Sequence, residues 1–253
     1  MNRKTIIANF KMNKTNAEVK EYLKVLKKLV KGKDATVGIC VPYTALATAV
    51  KSVKGSKIMV GAQNINQNDK GAYTGEISPA MLKDINVYAT LIGHSERRSY
   101  YNETDATVNQ KVIKSLESGI LPIVCIGENL DQRNNGKTNA VLKTQIKEAF
   151  KGVEKQDFAK VIIAYEPVWA IGTGVVPTNK QIVSAMATIR KVVASIYDEQ
   201  AGKDVIIQYG GSVNEKNAKE IASLAGVDGA LVGGAGLDPV KFNSIIDGFL
   251  SVI

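Results

Sequence analysis

Histidine is nearly missing from this chain: His94 is the single one in 253 residues. Cysteine occurs twice, as Cys40 and Cys125, each closing an apolar run and with no Cys-x-x-Cys pair. These shortages argue against a zinc site and against a disulfide framework. Two buried free thiols in a reducing compartment are expected instead. No run of roughly 18 apolar residues is present, which argues against a membrane span. Met1-Asn2-Arg3-Lys4 leads straight into Thr5-Ile6-Ile7-Ala8-Asn9, with no apolar leader and no cleavage site. A cytoplasmic location is therefore expected. Aromatic residues make up 6% of the chain and do not interleave with basic ones as in a nucleic-acid module, so no nucleic-acid partner is expected.

Hydrophobic and charged residues are present at 45% and 23%, the proportions of an ordinary globular protein. The net charge is +9. Its densest stretch, Lys20 to Lys33, is interleaved with Val19, Tyr22, Leu23, Leu26 and Val30. That pattern is an amphipathic helix with a solvated lysine face. The charge also suits an anionic small substrate.

Short Val- and Ile-rich runs alternate with segments of helical period along the whole chain. Runs apolar on both faces fit strands of a buried parallel sheet. Strands are predicted at Thr5–Asn9, Thr36–Val41, Ile58–Ala62, Tyr88–Ile92, Leu121–Ile126, Val161–Tyr165, Val205–Tyr209 and Gly229–Val232. Helices are predicted at Ala17–Val30, Tyr43–Val53, Pro79–Asp84, Asp105–Ser118, Lys137–Phe150, Asn179–Tyr197, Asn214–Leu224 and Pro239–Leu250. Thr104, Asp105 and the Thr178…Gln181 capping box mark helix starts, Gly119 and Gly226 mark stops, and Asp238-Pro239 puts proline at a first helical position. Eight strand–helix units suggest one α/β domain over 1–253, a (β/α)8 barrel. An open doubly wound sheet competes, but no Gly-x-Gly-x-x-Gly follows the first strand.

In such a barrel the chemistry sits beyond the strand C-termini. Asn9 and Lys11 follow the first strand, Gln63 and Asn64 the third, His94 the fourth and Glu166 the sixth. Gly210-Gly211-Ser212 follows the seventh and Gly233-Gly234 the eighth. His94 either caps a helix or acts as an acid tuned near neutral pH. The glycine turns either make tight bends or let backbone N–H groups approach a phosphate. Lys11 is a rim lysine, an anion ligand or a Schiff-base amine. Glu166 is a surface acid or a general base. After it, Pro167-Val168-Trp169-Ala170-Ile171-Gly172-Thr173-Gly174-Val175-Val176-Pro177 has the composition of a lid.

Several segments together resemble the triosephosphate isomerase family, from the first strand to the last helix. They are Asn9-Phe10-Lys11-Met12-Asn13, Gly93-His94-Ser95-Glu96-Arg97-Arg98, Tyr165-Glu166-Pro167-Val168-Trp169-Ala170-Ile171-Gly172-Thr173-Gly174, Tyr209-Gly210-Gly211-Ser212-Val213 and Leu231-Val232-Gly233-Gly234-Ala235. Cys125-Ile126-Gly127-Glu128 also matches, and the stretch around Thr74 is similar to the family's dimer loop. The resemblance implies a TIM barrel, a homodimer, no metal and no organic cofactor. It implies interconversion of dihydroxyacetone phosphate and D-glyceraldehyde 3-phosphate. Glu166 is then the base, and neutral His94 polarises the carbonyl, its pKa lowered by a helix N-terminus. Lys11 and Asn9 stabilise the enediolate, with Glu96 supporting Lys11. Gly172, Ser212, Gly233 and Gly234 bind phosphate.

The chain departs from that family at Phe10, where tryptophan is frequent, at Val175-Val176-Pro177, where Lys-Thr-Ala is frequent, and at Gly236, where serine is frequent. Proline fixes its own φ and restricts Val176, so a hinge with fewer open conformers is expected. Two other readings remain beside the isomerase: a Schiff-base aldolase using Lys11, and a sugar-phosphate binder without turnover.

Overall fold

The computed structural model describes residues 4–171, 173 and 175–252. Its strands are β1 (Thr5–Asn9), β2 (Thr36–Val41), β3 (Met59–Ala62), β4 (Ala89–Ile92), β5 (Leu121–Ile126), β6 (Ile162–Tyr165), β7 (Ile206–Tyr209) and β8 (Gly229–Val232). All neighbours pair in parallel, and β8 returns to β1, with Thr5 opposite both Thr36 and Gly229. The closed sheet rules out the open alternative.

Closure explains the unbroken apolar runs. Ile7, Cys40, Leu91, Ile123, Cys125, Ala164 and Leu231 fill the inside of the barrel. Their sequence neighbours Ile6, Ala8, Ile39, Ile92, Val124 and Ile163 face outward, into a second core shared with the helices. Side chains alternate with period two, so both faces of each strand must be apolar. The same period sets the rim: Asn9 continues the inward row above Ile7, and Glu166 continues it above Ala164.

The predicted caps form. Thr178 accepts from the Gln181 N–H in a complete capping box, and Thr104 does the same with Thr107. Asp238 accepts from the N–H groups of Val240 and Lys241. Gly119 adopts a φ of +67°, the left-handed conformation that ends a helix, just past the C-cap Ser118; Gly226 (φ +86°) lies instead in the turn before β8, since its helix already ends at Ala222.

Two further expectations needed correction. Residues predicted as one helix from Asn214 to Leu224 are helical only over Ala218–Ala222. The Asn214 carbonyl oxygen of the side chain accepts from the N–H groups of Lys216 and Asn217, and this local bonding substitutes for a helical turn. The helix start read at Ser95 is present as Ser95–Tyr100, whereas short helices at Leu130–Asn134, Lys155–Phe158 and Glu199–Asp204 lie in stretches predicted as connections. They are too short to display a period. Both cysteines are free and buried. Among the described residues no helix is long and apolar enough to cross a membrane.

Candidate active site

A cavity of about 330 Å³ opens at the C-terminal mouth of the barrel. Asn9, Lys11, His94, Glu166, Ser212, Gly233 and Gly234 all line it, as do Gly210, Gly211 and Ile171. Thus the predicted groups from β1, β4, β6, β7 and β8 do converge. Gln63 and Asn64, the candidates after β3, do not. Gln63 instead donates to the carbonyls of Lys11 (2.8 Å) and Cys40 (3.0 Å), and Asn64 accepts from buried Lys111. Gly172, and Gly174 of the predicted lid, lie outside the described residues.

Lys11 has a φ of +52°, a conformation costing a residue with a side chain about 1–2 kcal/mol. Local bonds offset that cost. Its N–H donates to Asn9 Oδ1 (2.9 Å), its carbonyl accepts from Gln63, and its ammonium pairs with Glu96 Oε1 (2.7 Å). The strain turns the lysine into the mouth, the kind of backbone outlier that accompanies function. Asn9 spends its carbonyl on Lys11, which leaves its amide N–H groups for a ligand oxygen.

His94 caps the helix Ser95–Tyr100, and its Nδ1 accepts from the Glu96 N–H at 3.2 Å. That bond fixes the tautomer: the ring proton sits on Nε2, which lies 2.9 Å from Glu166 Oε1. The other carboxylate oxygen, Oε2, accepts from the Ser95 N–H at 3.0 Å. His94 and Glu166 are 6% and 2% exposed, so little water screens them.

Burial pushes the Glu166 carboxyl up, but His94, the Ser95 N–H and Lys11 together hold it below its usual range. Burial pushes the imidazole down, but the charge and hydrogen bond of the Glu166 carboxylate, with the nearby Glu96, together raise it by more, so its pKa stands above the ordinary value. This differs from the lowering expected at a helix N-terminus. The reason is the carboxylate at 2.9 Å, which a sequence cannot place beside the ring.

Close approach explains Gly210. A Cβ there would lie 3.0 Å from Glu166 Cγ and 3.1 Å from the Tyr165 carbonyl oxygen, so a side chain would press on the carboxylate arm.

The sequence reading assigned no role to Glu128, which is wholly buried. Its carboxylate accepts from Trp169 Nε1 (3.0 Å) and Tyr165 Oη (3.2 Å), and Arg133 lies 3.5 Å away. Arg133 also stacks over the Trp169 ring. The start of the Pro167–Pro177 segment is therefore anchored. Ser212 Oγ donates to the Ala170 carbonyl at 3.1 Å, so Ser212 touches that segment as well as the cavity. The usable signal was a carboxylate directly beyond β5 and next to a glycine. At the other end Val175 and Val176 are about half exposed and Pro177 is buried.

The family model of triosephosphate isomerase matches residues 4–249 of the chain. Triosephosphate isomerase of Clostridium botulinum (strain Loch Maree) is 49% identical over 246 residues, 97% of this chain and 99% of that protein. That of Dictyoglomus turgidum is 46% identical over 247 residues, again 97% and 99%. That of Caldanaerobacter subterraneus is 47% identical over 247 residues, 98% of this chain and all of its own.

Proposed function

The chain belongs to the triosephosphate isomerase family, and on that premise we propose how its pocket performs the reaction. The protein is an isomerase that interconverts dihydroxyacetone phosphate and D-glyceraldehyde 3-phosphate in glycolysis and gluconeogenesis.

In the proposed route the Glu166 carboxylate removes a proton from the carbon beside the carbonyl. The C–H electron pair becomes the C=C bond of an enediolate, and the carbonyl π pair moves onto oxygen. The His94 Nε2–H faces that oxygen, and an arriving substrate carbonyl competes for the bond now made to Glu166. Taking it frees the carboxylate to turn toward carbon. Glu166 then returns its proton to the neighbouring carbon, while His94 exchanges protons between the two oxygens. Lys11 and the Asn9 amide stabilise negative charge on the oxygens, and Glu96 holds Lys11 in place. Ser212, Gly233, Gly234 and Gly172 receive the phosphate, mainly through backbone N–H groups. Residues Pro167 to Pro177 close as a lid, which keeps water from the enediolate and so limits loss of phosphate. No step passes through a metal or an organic cofactor.

The observation that carries the reading is Glu166 Oε1 at 2.9 Å from His94 Nε2, on the wall of a cavity that Asn9 and Lys11 share. Lys11 is engaged with Glu96 at 2.7 Å, and an imine would first have to break that pair, which disfavours the aldolase reading. A coupled assay with glyceraldehyde 3-phosphate on wild type and Glu166→Gln is decisive. Turnover abolished only in the variant is expected; full turnover in the variant removes Glu166 as the base.

One domain over 1–253, a homodimer and a cytoplasmic location complete the reading. The dimer is supported by exposed apolar groups: Tyr73 (48% exposed), which adjoins Thr74 in sequence, and Met12 (94%), Tyr100 (74%) and Tyr101 (67%). Sedimentation tests it: a dimeric wild type that Thr74→Arg turns into monomer is expected, and a monomeric wild type ends the claim. The cytoplasmic location is supported by two unpaired thiols.

A further inference from the structure

Helix Asn16–Leu29 buries Val19, Tyr22, Leu23 and Leu26. Three of these are plain hydrocarbons; Tyr22 brings a hydroxyl into a site 3% exposed. A buried phenol needs a partner, because an unsatisfied hydroxyl is costly. The partner is distant in sequence: Tyr22 Oη donates to the Gly236 carbonyl at 2.7 Å. The ring edge meets Phe10 with centroids 4.8 Å apart and planes at 75°.

These two contacts touch the two sides of the anion end of the cavity. Phe10 is covalently joined to Lys11. Gly236 closes the turn that begins at Gly233, its N–H donating to the Gly233 carbonyl at 2.8 Å. Gly233 and Lys11 are themselves neighbours, since a Cβ on Gly233 would lie 3.6 Å from Lys11 Cε. The turn is also pressed against β1: a Cβ on Gly236 would come within 2.8 Å of Ala8 Cβ. A serine at this position would not fit without moving the turn. Gly236 thus lets the turn sit close, and Tyr22 ties it down from the other side.

We propose that Tyr22 is a positioning residue for the phosphate: its ring sets Phe10 and Lys11, and its hydroxyl sets the Gly233–Gly236 turn, so that ammonium and backbone N–H groups face one anion. The proposal rests on the phosphate site described under Proposed function. It explains why a polar ring occupies a helix position that packing alone fills with an aliphatic side chain, and why Gly236 lacks a side chain.

Tyr22→Phe removes the hydroxyl and keeps the ring. Loss of one such bond is expected to raise KM, and with it the inhibition constant of inorganic phosphate, about fivefold. The kcat should stay within about twofold, because the reacting carbons lie at the Glu166 end. Gly236→Ala, which pushes the same turn from the opposite side, should weaken phosphate in the same direction. The double variant should lose less than the sum of the two. Unchanged phosphate inhibition in folded Tyr22→Phe, or kcat falling as much as KM rises, overturns the proposal. So does strict additivity in the double variant. A wild type that inorganic phosphate does not inhibit overturns the phosphate site itself, and this inference with it. Turnover by Glu166→Gln bears on the base alone and leaves the phosphate measurement standing.

Discussion

The wall of the cavity built beyond β4 and β6 differs in kind from the wall built beyond β7 and β8. The first presents two nearly inaccessible side chains, His94 and Glu166, held by each other and by the N–H groups of Ser95 and Glu96. The second presents glycines, with Gly234 exposed and Ser212 partly so. On the proposed route protons move at the first wall, and there the structure supplies dry, fixed side chains whose charges strongly influence each other. The anion is proposed to sit at the second, where the structure supplies bare backbone. Changes in the first wall should therefore read out in kcat, and changes in the second in substrate affinity.

The comparison breaks most visibly at Glu166. Shortening it to aspartate draws the carboxylate back by about one bond, and kcat should fall on the order of 100-fold. Phosphate inhibition should stay unchanged, since the proposed anion site is at the other wall. A Glu166→Asp protein with near-normal kcat, or one that loses phosphate and kcat together, would erase the distinction between the walls.

A titration sharpens the electrostatic side. His94 is the chain's single imidazole, so one NMR signal reports it. Its pKa stands above 6.5 because the Glu166 carboxylate favours the charged ring against burial. The ring therefore protonates earlier as pH falls than an isolated imidazole does. In Glu166→Gln the carboxylate is gone, while burial and the helix N-terminus remain, and both oppose a second proton. Glu96 still favours the charged ring, but without Glu166 the midpoint should drop relative to wild type in that variant. Equal midpoints in the two proteins would mean the 2.9 Å contact does not exist in solution.

The smallest effect is expected at the proposed lid, whose two ends repeat the contrast. Its first end is anchored through Trp169 and Glu128; its second has exposed Val175 and Val176 before buried Pro177. Replacing Val175-Val176-Pro177 with Lys-Thr-Ala adds open conformers that closure must then give up. Affinity for a phosphate-bearing inhibitor should weaken about two- to fivefold. Relaxation-dispersion measurements should show altered lid exchange, and an identical exchange rate in both proteins would remove any role of the proline.

Much of this is legible in the sequence alone. The strands were found to within a residue, because closure buries both faces and leaves unbroken apolar runs that no surface strand has. Asn9, Lys11, His94 and Glu166, which line the cavity, were legible as rim residues because polar residues end those runs. Short helices such as Leu130–Asn134 escaped because one turn and a half displays no period. Glu128 escaped because its role lies in a bond to Trp169, a residue on another strand's loop.

The sequence by itself determined the alternation of elements, their caps and the chemical types along the rim, since each depends on neighbours within a few positions. Tertiary structure alone decided the rest. It set Glu166 against His94 and so raised an imidazole that a helix N-terminus lowers. It turned Gln63 from a candidate ligand into a brace for Lys11. It gave the hydroxyl of Tyr22 a carbonyl 214 residues away. Charge coupling and hydrogen bonding act over a few ångströms of space, and only closure of the barrel brings distant residues within that range.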